Sequence, residues 1–386
     1  MEVKPGYKQT EVGEIPEDWD IVTLGEVVSY VASGKSKVKS SNGKYPVYGS
    51  TGVIGYCDMS DYTGDAILVA RVGANAGTIN FVSDEYCVTD NTIIVRFSVN
   101  HSLPFFAYQL VSKRLNTLVF GSGQPLITGT QLKGLAVYAP LLSEQRAIAT
   151  ALGDVDALIT ALDQLIAKRR DIKQAAMQEL LTGKRRLPGF SGEWEVKRLD
   201  QIADVDCDNL GSNTNPDYIF TYISLDDVDH GSLRGFSDQV FKTAPSRARQ
   251  KIRKGDILVS TVRPNLKSHL LFMYESSDWI CSTGFSVVRS KYDKAAPGYI
   301  FFHLFGGRVA KQIEAMLVGS NYPAISSRDV RTLQIPIPPL DEQIAIATVL
   351  SDMDAEIVAL EGKRDKTKTL KQGMMQELLT GRIRLV

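Results

Sequence analysis

Two runs of basic residues hold the most direct chemical potential in this chain. The first, GKSKVKSSNGK, spaces Lys35, Lys37, Lys39 and Lys44 through a Gly/Ser-rich stretch. The second, SRARQKIRKGD, sets Arg247, Arg249 and Lys251 at alternate positions, with Arg253 and Lys254 behind them. Alternate side chains of an extended segment share a face, and cations along one face suit the phosphates of a nucleic acid. A solvated loop is the competing role for either run; one run in each half of the chain favours the polyanion. Reading bases needs forked donors and amides. Residues of those types sit in turn-forming stretches: Tyr48, Ser50 and Thr51 in YGSTG, Arg71 and Asn75 in RVGANAG, then Asn91 and Gln124. In the second half they are Arg263 and Asn265 in VRPN, then Asn321 and Tyr322. Each alone could serve a turn or a cap. As a set they read as corresponding loops of two divergent halves.

Catalytic chemistry has no comparable signal. Gly34-Lys35-Ser36 lacks the upstream glycine of a phosphate-binding loop, because Ser29 stands there. There is no nucleophile elbow, no Asn-Pro-Pro-Tyr signature and no glycine-rich cofactor loop. His101, His230, His269 and His303 are isolated and lack metal-ligand spacing. Asp154 and Asp156 recur as Asp352 and Asp354, a spacing that fits the polar rim of a helix pair better than a metal site. The expectation is a binding protein without catalytic residues, metal or cofactor of its own. Cys57, Cys87, Cys207 and Cys281 are scattered and read as reduced thiols. No run of eighteen apolar residues is present, and the polar, acidic N-terminus does not resemble a signal peptide. A cytoplasmic protein away from membranes is expected. Net charge is zero, which argues against a non-specific polyanion binder while leaving local basic patches open.

The elements that must position these residues occur twice. EQRAIATALGDVDALITAL from Glu144 falls on EQIAIATVLSDMDAEIVAL from Glu342, and the match runs without a gap to Leu187 over Leu385. Roughly 25 of the 44 positions are identical. Upstream the halves diverge, apart from a shared entry: Pro5-Gly6-Tyr7 before Trp19, and Pro188-Gly189-Phe190 before Trp194. A chain of 386 residues exceeds one ordinary core, and the order is variable, constant, variable, constant.

The constant segments read as long helices. Ile148, Leu152, Val155, Ile159, Leu162 and Ile166 alternate steps of four and three, as do Ile346, Leu350, Met353, Ile357 and Leu360. That spacing makes a coiled-coil seam. Ser143 and Asp341 are the expected N-caps, and Gly183 and Gly381 the stops. The natural partner of each stripe is the other copy, packed antiparallel, which would bring the C-terminus back beside the N-terminus; packing of each helix on its own globular domain is the competing arrangement. In the variable segments, Ala66–Val72, Thr92–Phe97, Asp256–Val262 and Phe285–Ser290 read as strands, each pair followed by an aromatic-rich helical stretch. The expected fold is therefore α/β (α+β): two globular domains, residues 1–141 and 185–339, separated by helical segments 142–184 and 340–386 in a pseudo-twofold ring.

This arrangement resembles the specificity subunit of type I restriction–modification systems. The resemblance spans the chain and rests on YKQTEVGEIPEDWDIVTLGEV, YPVYGSTGVIGY, GDILVS, IPIPPLDEQIAIA and the twin MQELLTG, in that order. It implies two target-recognition domains, each reading one half of an asymmetric bipartite sequence in double-stranded DNA. It also implies paired helices that dock two methyltransferase subunits. S-adenosylmethionine would then belong to the methyltransferase subunits, and ATP and Mg to restriction subunits.

Overall fold

Strands in both halves form where apolar residues run on without alternating, the mark of a strand covered on both faces. In the computed structural model, which describes residues 4–11, 13–37, 43–119, 126–275, 278–318 and 323–385, the chain makes two units. One holds residues 1–163 and 362–386, the other 164–361.

The first unit opens with β1 (Tyr7–Thr10), β2 (Gly13–Pro16), β3 (Asp20–Thr23) and a single helical turn, α1 (Leu24–Val27). Eight strands follow: β4 (Val28–Ser33), β5 (Tyr45–Gly49), β6 (Gly52–Cys57), β7 (Tyr62–Thr63), β8 (Ala66–Ala70), β9 (Ile79–Val82), β10 (Glu85–Val88) and β11 (Thr92–Phe97). They form two sheets, β6-β5-β10-β7 and β4-β11-β8-β9. Helix α2 (Leu103–Ser112), α3 (Gly129–Lys133) and β12 (Ala136–Ala139) lead into the long α4 (Leu142–Leu180). β12 pairs antiparallel with β3, closing the segment on itself.

The second unit starts with β13 (Glu195–Arg198), α5 (Leu199–Ile202) and β14 (Ala203–Val205). Then come β15 (Ile219–Ile223), β16 (Val228–Asp229), β17 (Ser232–Leu233), β18 (Ser237–Val240), β19 (Ala248–Ile252), β20 (Ile257–Ser260), β21 (Leu270–Leu271), β22 (Trp279–Ser282) and β23 (Phe285–Ser290). Helices α6 (Pro297–Phe305), α7 (Gly307–Met316) and α8 (Ser327–Thr332) precede β24 (Gln334–Ile337) and the long α9 (Leu340–Leu378). The sheets are β18-β15-β22-β19 and β14-β23-β20-β21. This is the first unit's strand order repeated, down to the parallel pairs β5/β10 and β15/β22. Among the described residues the β16–β17 hairpin is the addition to that plan. The aromatic helical stretch of the second half breaks at Gly306–Gly307 into α6 and α7.

The long helices differ from expectation at their starts. α4 begins at Leu142 and α9 at Leu340, so Ser143 and Asp341 lie inside the first turn and cap nothing. The neighbouring glutamines act instead. Gln145 Oε1 accepts from Ser102 N–H (2.8 Å) and its amide donates to Pro140 O; Gln343 does the same with Ala296 N–H (3.0 Å) and Pro338 O. Each ties its helix to the start of α2 or α6.

The seam is also shared differently. Ile148 and Leu152 are fully buried in the first unit's core, together with Leu378 and Leu379 from the end of α9. Ile346 and Leu350 belong to the second unit's core with Met177, Leu180 and Leu181. Burying each such side chain stabilises by about 1.5–3 kcal/mol. The seam's early positions thus pack on a globular domain and not only on the other helix. Leu162, Ile166 and Ile357 are buried further along, while Val155, Ile159, Met353 and Leu360 are half-buried. Ion pairs fix direction. In the first unit Asp156 pairs with Lys371 (2.6 Å) and Asp163 with Arg364 (3.4 Å). In the second, Arg169 pairs with Glu356 (3.0 Å) and Lys173 with Asp354. Partner numbers fall on α9 as they rise on α4, so within each unit the helices are antiparallel. The recurring aspartates Asp156 and Asp354 hold the opposite helix's lysines.

Each long helix also carries a buried carboxylate at its start. Glu144 is 1% exposed and accepts from Arg384 Nε (2.6 Å) and Trp19 Nε1 (2.9 Å). Glu342 is 0% exposed and accepts from Arg186 and from Trp194 Nε1 (3.3 Å). Carboxylate neighbours hold both arginines above their ordinary pKa. Arg384 also pairs with Asp18 (2.8 Å), and Tyr7 Oη donates to Gly381 O (2.9 Å), so the C-terminal residues return beside the N-terminal strands.

The expectation of four reduced thiols also fails. Cys57 and Cys87 are joined as a disulfide, while Cys207 and Cys281 are free. Cys57 on β6 and Cys87 on β10 flank β5 in one sheet, a neighbourhood created by strand order and invisible at a separation of 30 residues.

Two buried histidines give the second unit a pH dependence. Burial lowers His269 to about 4 and His303 to about 3 from the ordinary 6.5. Both are neutral when folded, so the unfolded chain takes up their protons first as pH falls. Their contribution is fully present above about pH 6.5 and is lost as pH drops toward 4 and 3. At pH 5 each should cost about 2 kcal/mol relative to neutrality. Urea unfolding of His303→Leu should show a shallower loss between pH 7 and 5 than the native chain; an equal loss would rule His303 out as a source.

Candidate nucleic-acid interface

In the first unit, turns from both sheets gather at one end, and several of the sequence candidates gather with them. The β10–β11 turn is the hub. Asn91 O accepts from Ser50 Oγ (2.8 Å) and from Arg71 N–H (3.0 Å). Thr89 N–H donates to Tyr48 O (2.9 Å). The Arg71 guanidinium donates to Ser33 Oγ (2.7 Å), fixing its direction at the end of β8. Lys35 stands between Gly34, bonded to Thr92 O, and Ser36, bonded to Val88 O, so it joins the same end. Thr51 and Asn75 are exposed there on adjoining turns. Lys44 does not join them. It precedes β5, donates to Tyr45 Oη (3.1 Å), and lies a strand's length from Ser50, roughly 17 Å at about 3.4 Å per residue. Lys37 is exposed on the β4–β5 connection, and Lys39 and Gln124 lie outside the described residues.

The second unit builds the same end. Arg247 O accepts from Thr283 N–H (2.8 Å), Gly284 O accepts from Thr261 N–H (2.9 Å), and Arg263 N–H donates to Pro323 O (2.8 Å). Arg247, Arg263 and the exposed Asn265 therefore share one rim. Arg249 and Lys251 project from one face of β19, but they are engaged. The Arg249 guanidinium lies 4.8 Å over the Phe241 ring and Lys251 is 3.6 Å from Asp208. Arg253 and Lys254 follow at the far end of β19, with Lys254 paired to Glu275. Asn321 and Tyr322 lie outside the described residues.

The matching strand orders set which loop residues correspond. Val72 bridges to Leu126 as Val262 does to Ala324. Asn75 and Asn265 then fall at the same turn position, whereas Arg71 matches Thr261, and Gly73 matches Arg263. The basic runs are not equivalents either. The lysines lie between β4 and β5, where the second unit has Asp206 and Asp208 between β14 and β15, and the second basic run lies on β19, the counterpart of β7. One scaffold presents unlike chemistry at like places. Each end offers cations, amides and hydroxyls on turns, the donor and acceptor set that phosphates and base edges accept. Among the described residues no cluster of His, Cys, Asp and Glu could hold a metal ion.

A family model for the type I restriction modification DNA specificity domain matches residues 16–169 and again 191–370. The chain belongs to that family. Each matched span takes in one of Trp19 and Trp194, both four-stranded sheets of its unit and much of a long helix, so the family's unit is the repeat seen in the fold. The type I restriction enzyme MjaVIII specificity subunit of Methanocaldococcus jannaschii is 24% identical over 417 residues, covering 98% of this chain and 96% of that protein. The EcoDI specificity subunit of Escherichia coli is 20% identical over 401 residues, covering 95% and 88%. Among solved structures, the S subunit of a type I restriction–modification system from M. genitalium has a similar fold, with a TM-score of 0.64 at 16% identity over 98% of both chains. A chain from a type I system studied for complex assembly gives 0.55 at 17% identity, covering 96% of this chain and 99% of that one.

Sequence reasoning missed Glu144 and Arg384 and their counterparts Glu342 and Arg186, and it placed Gln145 and Gln343 in the first turn without their partners. Their signal was present: they are identical in both copies although each copy's recognition segment differs. No helix among the described residues is long and apolar enough to cross a membrane.

Proposed function

We propose that this chain is the non-catalytic subunit that selects the DNA target of a type I restriction–modification complex. Residues 1–141 read one half of a bipartite target and residues 185–339 read the other. The helical segments 142–184 and 340–386 set the interval and dock two methyltransferase subunits, with restriction subunits joining the assembly. S-adenosylmethionine chemistry falls to the methyltransferase subunits, and ATP and Mg to the restriction subunits. The supporting observation is one strand order built twice with unlike turns at the same end, in a chain whose family match also occurs twice.

The readers proposed for the first domain are Lys35, Tyr48, Ser50, Thr51, Arg71, Asn75 and Asn91; for the second, Arg247, Arg263 and Asn265. Exchanging residues 20–140 for those of another family member should change one half-site of the methylated sequence and leave the other intact. Methylome sequencing of the host checks this, and a change in both half-sites would overturn the division of labour. Methyl transfer to DNA by the purified chain alone would favour a self-contained methyltransferase instead. If the chain with its methyltransferase subunits showed no sequence-selective gel shift, a structural protein without a DNA partner would be favoured.

A further inference from the structure

The turn that follows β8 recurs after β20, and the two copies take their cations from different places. Leu266 N–H donates to Arg263 O as Ala76 N–H donates to Gly73 O. The turn has a left-handed backbone at its first and fifth positions. In the second domain these are Arg263 (φ 48°) and Lys267 (φ 54°), so the turn itself is cationic. In the first domain they are Gly73 (φ 74°) and Gly77 (φ 92°), and the turn carries no charge beyond Arg71.

A cation reaches the first domain's turn from another element. A Cβ on Gly77 would stand 2.4 Å from Asn116 N, so the turn and the segment Leu115–Leu118 meet backbone to backbone. Leu115 is 2% exposed and shares the first unit's core with Ala76 of the turn. At the far end of the segment Leu118 O accepts from the Gln131 amide (3.0 Å), and Ile127 N–H, just before α3, donates to Arg71 O (2.8 Å). The segment is thus held between the Asn75 turn and the start of α3, both of which are tied to Arg71.

Arg114 stands where α2 gives way to this segment, in the left-handed conformation (φ 48°, ψ 61°). Glycine or asparagine is the usual residue at such a place after a helix, because a Cβ makes that backbone unfavourable. Residues kept in unfavourable backbone regions cluster at functional sites. The Arg114 side chain is exposed, and its guanidinium has no hydrogen bond or ion pair among the described residues. Nothing it does within the fold offsets its backbone. Arg71 is the contrast: Ser33 Oγ fixes its fork, as reading a base edge requires. An untethered cation suits a phosphate instead, a contact that positions the protein without carrying sequence.

We propose that Arg114 anchors a backbone phosphate of the half-site bound by the first domain, the part taken in the second domain by the cations of the turn itself. The assignment rests on the DNA-reading role proposed above.

Arg114→Gly removes the cation and relieves the backbone at once, so binding should fall while stability holds or rises. The full chain with its methyltransferase subunits is titrated by fluorescence anisotropy, across salt concentrations, against the target that the host methylome identifies. One phosphate contact scales affinity with about the 0.9 power of salt concentration, so the variant should bind about fivefold more weakly at about 0.15 M salt and about fifteenfold at about 0.05 M. Its melting temperature should equal or exceed the native value. Arg114→Asn, which also accepts the left-handed backbone, should behave alike, and Arg114→Lys should recover most of the binding. All three should methylate the native sequence. A melting temperature lowered in both the glycine and the asparagine variants would make Arg114 a structural residue and overturn the anchor. So would native affinity or an unchanged salt slope in either variant that keeps its melting temperature, and so would an altered half-site, the mark of a base reader. Each of these results leaves the DNA-reading role standing. Absence of sequence-selective binding by the native complex would sink that role and the anchor with it.

Discussion

Arg186→Ala should destabilise the second unit by about 3–5 kcal/mol, the cost of breaking a buried ion pair by removing one member. Glu342 is 0% exposed and would keep only Trp194 Nε1–H as a side-chain donor. A second substitution separates charge from shape. In Arg186→Leu/Glu342→Leu no charge is left unpaired, and apolar replacement of a buried pair is often close to neutral. The double variant should therefore recover most of the loss. Urea unfolding followed by hydrogen exchange resolved to residues 164–361 reads both. A single variant within about 0.5 kcal/mol of the native chain, the range of ordinary surface substitutions, would show that the pair contributes nothing. A double variant as unstable as the single would place the effect in packing. Arg384→Ala should act alike on the first unit through Glu144, since Glu144 and Trp19 meet Arg384 as Glu342 and Trp194 meet Arg186, with Asp18 as a further partner.

This latch also shows where the sequence was legible and where it was not. The duplication, the long helices and the buried strands were open to reading, because each rests on local spacing. Leu68 and Val69 or Val287 and Val288 announce a covered strand by apolar continuity alone. The strand order was not readable: β5 lies parallel to β10 across four intervening strands, and nothing local at Val47 or Cys87 encodes that pairing. The disulfide was missed for this reason. The N-caps were misassigned because Gln145 and Gln343 satisfy backbone groups of other elements, Ser102 and Ala296, and a cap rule looks only along the chain.

The candidate site was legible as a set of residue types and less so as a place. Ser50, Arg71 and Asn91 meet through hydrogen bonds that span up to 41 residues. Lys44 and Lys251 were chosen by the same compositional argument, and the fold uses them elsewhere, one against Tyr45 and one against Asp208. A lysine's spacing gives its face but not its partner. The glycine-to-cation exchange at Gly73/Arg263 and Gly77/Lys267 was hidden because the recognition segments align by fold and not by sequence.

Lengthening the two long helices together should change the interval between half-sites without changing the half-sites. An insertion in α4 alone would shift Asp163, Arg169 and Lys173 past their partners on α9, so the ion-pair register calls for a matched insertion. Seven residues after Leu162 and seven after Arg364 keep Asp156–Lys371 on one side of the insertions, and Asp163–Arg364, Arg169–Glu356 and Lys173–Asp354 on the other. Seven residues nearly preserve the phase of the apolar stripe, with a drift of about 20°. They add about 10.5 Å of helix, close to three base pairs at about 3.4 Å each. Methylome sequencing of cells carrying the lengthened chain should then find both original half-sites separated by about three more base pairs, with methylation at the original interval reduced at least a hundredfold. The single-helix insertion, which breaks the register, should methylate neither interval efficiently. An unchanged interval in the doubly lengthened chain would mean that spacing is set by the docked methyltransferase subunits. Altered half-sites would mean that recognition depends on the helices as well as on the turns.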